Sequence, residues 1–79
     1  VDLADLPDIR VGDWVRAYSA VGVVLWIDEG DPDQPYQCAQ LITMQQKFTR
    51  PWWPRAEETS LYEPTEDELC LWMLSELSR

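Results

Sequence analysis

The sequence predicts a mainly β domain, a small barrel of about four to five short strands with a C-terminal α-helix. Three observations predict it. Short apolar or alternating runs are separated by turns rich in Gly, Pro and Asp. Only the C-terminal segment has a helical start signal followed by helical periodicity. The chain has 79 residues, which suits one domain with a small core. Its expected parts are an arm over 1–8, the barrel over 9–63 and the helix over 65–78.

In the arm, Leu3, Leu6 and Ile9 recur every third residue, and Pro7 limits any helix to about one turn. Residues 9–18 read as a strand kinked at Gly12-Asp13, with Val11, Asp13, Val15 and Ala17 on one face and Trp14, Arg16 and Tyr18 on the other. Residues 22–28 are almost continuously apolar and β-branched, which favours a second strand. Ser19-Ala20-Val21 is the expected hairpin connection. The stretch 29–35 is a turn signal, and 36–42 reads as the third strand. Residues 43–47 can turn. A fourth strand over 47–53 carries Phe48, Arg50 and Trp52 on one face, and Pro51 marks it as an edge or bulge. Residues 59–63 form a short fifth strand or a helical turn. In the helix, Thr65 and Glu68 form a T-x-x-E capping box. Leu69, Cys70, Met73, Leu74 and Leu77 make an apolar stripe roughly 140° wide, expected to face the body. Leu71 and Trp72 flank it, either extending that docking face or marking a contact surface or dimer seam.

Val11-Gly12-Asp13-Trp14-Val15-Arg16, Gly22-Val23-Val24 and Tyr36-Gln37-Cys38 resemble the opening of SH3-like or Tudor-like barrels, at the level of fold. The Gly12-Asp13-x-Val15-Arg16 strand and its hairpin are also similar to the small plasmid-borne dihydrofolate reductases, whose barrels act as tetramers. That family's Val-Gln-Ile-Tyr active-site strand is absent here. The resemblance therefore implies a barrel and an oligomer, without the activity. Pro51-Trp52-Trp53-Pro54 spells the signature of PWWP domains. It lies far beyond the Gly-Asp strand, with one short strand and a helix after it, and that family's aromatic cage cannot be placed residue by residue on this chain.

The formal charge of −9 is uneven: −6 over residues 1–35, +3 over 36–56 and −6 over 57–79. Such a field attracts basic partners and repels nucleic acid. There is no histidine, which removes the commonest general base and one preferred zinc ligand, and two cysteines alone do not make an ordinary structural zinc site. Cys38 and Cys70 are far apart and read as buried small apolar residues in a reducing compartment. Asp28, Glu29, Asp31 and Asp33 crowd one loop without EF-hand spacing, and read as a solvated turn. No catalytic constellation, cofactor or metal site is expected. No apolar run approaches the roughly 18 residues of a membrane span. The acidic start is not read as a signal peptide, so a cytoplasmic protein is expected.

The five tryptophans are expected to divide. Trp26 and one of the adjacent pair Trp52 and Trp53 build the core. The other member and Trp72 are the tryptophans at which function is sought. Arg50, Trp52, Trp53 and Arg55, with Leu71 and Trp72 as a second patch, are the expected partner-binding residues, because Trp and Arg are enriched in protein hot spots. The expected function is a small non-catalytic protein-interaction module that binds a protein partner, including a second copy of itself. Two other readings stand beside it. One is an acidic inhibitor or nucleic-acid mimic from a phage or mobile element, occupying a basic groove. The other is a weak single-stranded nucleic-acid binder through residues 47–55.

Overall fold

The computed structural model describes residues 9–77; the expected arm over 1–8 lies outside them. Five strands form one antiparallel sheet: β1 (Trp14–Ala17), β2 (Ala20–Ile27), β3 (Tyr36–Ile42), β4 (Lys47–Trp52) and β5 (Thr59–Leu61). Their spatial order is β4-β3-β2-β1-β5, so the last strand returns beside the first. A 3-10 turn at Ala56–Glu58 feeds β5, and helix α1 (Glu66–Leu77) follows. The mainly β class, the third strand and the C-terminal helix agree with the sequence reading. The strands form an open sheet.

β1 is shorter than expected because residues 10–13 turn. Gly12 has φ 94°, a left-handed conformation that favours glycine. The Arg10 N–H donates to Asp13 Oδ2 at 2.9 Å, closing the turn. Val11 is consequently exposed rather than on the core face. Ala17 pairs with Ala20, so the β1–β2 hairpin turns on Tyr18-Ser19, one step earlier than expected. β5 pairs with β1 along Val15–Leu61 and Ala17–Thr59.

Strand register assigns the side chains to two faces. One face carries Val15, Val24, Tyr36 and Cys38, closed over by Ile9 and Ala56, with Ile27 and Trp52 packed against them. The other carries Trp14, Val23 and Ala39 in one row and Leu41 opposite Phe48. Helix α1 lies against this second face through β4.

Two bulges redistribute the tryptophans. Between Val24 and Trp26 the β2–β3 register slips by one residue, leaving Leu25 without an opposite number. A bulge reverses the alternation that follows it. Trp26 is therefore turned away from the core and is 51% exposed, contrary to its expected place inside. In β4 the register slips between Cys38–Trp52 and Gln40–Thr49, so β4 spends one extra residue near Arg50 and Pro51. β4 is also an edge strand, where Pro51 removes no ladder hydrogen bond from an inner strand. The expectation that Phe48, Arg50 and Trp52 share a face fails for this reason: Phe48 and Arg50 face the helix and Trp52 packs into the core. Trp52 and Trp53 are both half-buried but meet different partners: Trp53, just past the end of β4, lies edge-on to Trp26 at 6.3 Å instead of standing exposed.

Candidate functional site

Helix α1 starts where the capping box places it. Glu68 N–H donates to Thr65 Oγ1 at 3.2 Å, and Thr65 N–H donates to Glu68 Oε1 at 2.8 Å. The Tyr62 hydroxyl donates to the same carboxylate at 2.8 Å. That bond raises the Tyr62 pKa above its ordinary value, since the phenol is held as a donor. Burial pushes Glu68 up, but the hydrogen bonds from Thr65 and Tyr62 outweigh it and hold the carboxyl below its usual range. The turn after β5 is thus tied to the first turn of the helix. Tyr62 N–H also bonds the Trp14 carbonyl at 3.0 Å, anchoring the turn to β1.

The helix docks by one aromatic residue. The Trp72 ring meets Phe48 edge-on at 4.9 Å, and Phe48 meets Trp14 at 5.8 Å, so three rings run from helix to sheet. The Arg50 guanidinium lies 5.6 Å from the Trp72 ring centroid and bonds Glu76 at 3.0 Å. Trp72 and Glu76 are one turn apart on the helix, so a single guanidinium holds both. Of the two positions left open between docking face and contact surface, Trp72 belongs to the docking face. Leu71 is half-buried and lines the adjoining cleft.

This docking turns the apolar stripe outward. Leu69 is 40% exposed, Met73 62%, Leu74 63% and Leu77 80%. The expectation that these residues face the body is overturned, and so is burial for Cys70, which is exposed. The physical reason is that Trp72 offers the largest apolar area on the helix together with a face for Arg50, and it lies about 100° from Met73. Whichever face Trp72 takes, the stripe cannot share it fully. Glu66 was the signal in the sequence: it stands seven residues before Met73, on the stripe itself, where burial would strand a carboxylate.

Beside the stripe is a shallow cleft of about 280 Å³, lined by Gln46, Lys47 and Phe48 from the sheet and Leu71, Leu74 and Ser75 from the helix. Leu74 thus belongs to both the stripe and the cleft wall.

The other expected contact residues are engaged within the chain. Arg50 holds the helix, and Trp52 is half-buried on the core. Arg55 is exposed and pairs with Glu57 at 3.3 Å. Trp53 is half-buried against Trp26, and its carbonyl accepts from Gln34 Nε2 at 2.8 Å. The acidic loop forms side-chain turns: Asp28 Oδ1 accepts from Gly30 N–H, and Asp31 Oδ1 accepts from Asp33 and Gln34 N–H. Among the described residues no group of three or more His, Cys, Asp or Glu side chains is placed to hold a metal ion. None of the described helices is long and apolar enough to cross a membrane. Cys38 is fully buried, and burial pushes its thiol pKa up to about 12.

No protein-family model, curated protein or solved structure matches this chain.

Proposed function

We propose that this chain is a small non-catalytic protein-interaction module whose contact surface is the outer stripe of α1. The single observation that carries this reading is the exposure of Leu69, Met73, Leu74 and Leu77 on consecutive turns of one docked helix. Isolated surface leucines are ordinary, but a contiguous apolar row on a fixed element is a contact surface. The sheet serves as its scaffold. Strand order β4-β3-β2-β1-β5, with a 3-10 turn returning β5 to β1, supports an SH3-like barrel as the finer description of that scaffold. The Trp26–Trp53 pair gives the scaffold a second, smaller aromatic patch.

The test compares capture by two forms of the chain from extracts of its host. Wild type is expected to enrich a protein that a Met73→Glu/Leu77→Glu double variant does not. Both substitutions lie on exposed positions, so folding is expected to persist, checked by circular dichroism. Equal capture by both forms contradicts the stripe as the contact surface.

A further inference from the structure

The charge around the stripe selects its occupant, and this inference rests on the stripe being a contact surface. Residues 66–77 contain Glu66, Asp67, Glu68 and Glu76 and no base. Helical spacing puts Glu66 in line with Met73, seven residues on. Asp67, seven residues before Leu74, stands on one border, and Glu76, three residues after Met73, stands on the other. The apolar row is therefore headed by one carboxylate and edged by two. Glu76 is already bonded to Arg50 on its sheet side. Lys47 is the base that lines the cleft beyond Leu74, on the sheet.

We propose that the stripe receives a basic amphipathic α-helix of another protein. Its apolar residues would lie along Leu69, Met73 and Leu77, with one anchor entering the cleft beside Leu74. Its lysines or arginines would flank Glu66 and Asp67. Two helices packed face to face bury matching stripes and pair charges along the borders. The opposite sign at the borders sets the partner's register and excludes acidic competitors. A second copy of this chain offers the same carboxylates to the same carboxylates. Each copy also carries −9, so stripe-to-stripe pairing opposes charge at both ranges.

The probe is a synthetic amphipathic peptide of leucine and lysine, about five helical turns long. Its companion has every lysine replaced by glutamine. Binding is followed by isothermal calorimetry at low salt, and self-association by sedimentation. The lysine peptide is expected to bind at least tenfold more tightly than the glutamine peptide, and Met73→Glu is expected to weaken it at least tenfold. Met73→Glu adds negative charge, so attraction by charge alone would strengthen binding and would overturn the proposal. Equal binding of both peptides, each lost in Met73→Glu, would retain the stripe as a contact surface and overturn the basic partner. A dimer that Met73→Glu abolishes would do the same in favour of a second copy. No binding of either peptide and no dimer would overturn both.

Discussion

Arg50 lies over the Trp72 ring at 5.6 Å while bonding Glu76 one turn further along the same helix. One cation from the sheet edge thus touches two successive turns on the docked side of α1. A ring–guanidinium contact at a partly exposed site contributes about 0.5–1 kcal/mol, and an exposed ion pair less than about 1 kcal/mol. The Phe48 edge contact adds about 0.5–1.5 kcal/mol beyond area.

Trp72→Ala removes the ring that both Phe48 and Arg50 touch. It is expected to destabilise docking by about 2–3 kcal/mol, the ring contacts plus part of the cost of truncating a half-buried tryptophan. Arg50→Ala is expected to cost about 1 kcal/mol. Amide exchange checks both: protection over 66–77 should fall, while β2 and β3 amides keep theirs. Uniform loss across the sheet would instead mean that α1 and the sheet unfold as one unit.

Gly22→Ala is expected to be severe. A Cβ at residue 22 would collide with the Ala39 carbonyl and lie 2.9 Å from the Trp52 ring. The ring can yield but the β3 backbone cannot without breaking the ladder. The expected loss is about 3 kcal/mol, read from the urea midpoint. Adding Trp52→Phe should recover only a minor part, because the carbonyl clash remains.

The two thiols should behave oppositely. Cys70 is exposed and Cys38 buried, so a thiol reagent is expected to modify one cysteine in the folded chain and two in denaturant. Rapid reaction of both under native conditions would contradict the core assignment.

Burial also makes Cys38 a source of alkaline sensitivity. Its folded pKa is raised from 9.0 to about 12, so the unfolded chain loses this proton first as pH rises. Between those values the unfolded state binds fewer protons, and stability falls by at most about 1.4 kcal/mol per pH unit. Urea midpoints measured at about pH 8 and about pH 10.5 should therefore decline, and Cys38→Ala should flatten that decline. Tyr36, also raised by burial, leaves a residual slope in the same direction.

The elements that were legible in the sequence share one property: their signals are local. The third strand, the capping box at Thr65 and Glu68, the turn at 43–46 and the edge position of Pro51 each rest on neighbours in sequence. Trp26 leaves the expected core, and Trp52 leaves the face of Phe48 and Arg50 for the core, because a bulge adds one residue to a strand and a period-two pattern cannot register that slip. Periodicity groups the apolar stripe of α1 on one face, but that face turns away from the body and not toward it. Periodicity says which residues share a face, but the partner of that face depends on Phe48 and Arg50, more than twenty positions from Trp72 and Glu76. Glu66 on the stripe was the local hint that the face meets water.

Trp72 docks the helix and leaves Met73 and Leu77 outside, and proton–proton distances from nuclear Overhauser spectroscopy decide this. Cross-peaks are expected between the Trp72 indole and the Phe48 ring, whose centroids are 4.9 Å apart, and none from the Met73 or Leu77 methyls to β4. Cross-peaks from the Met73 methyl to Phe48, with Trp72 free of it, would mean that the helix docks by its apolar stripe instead.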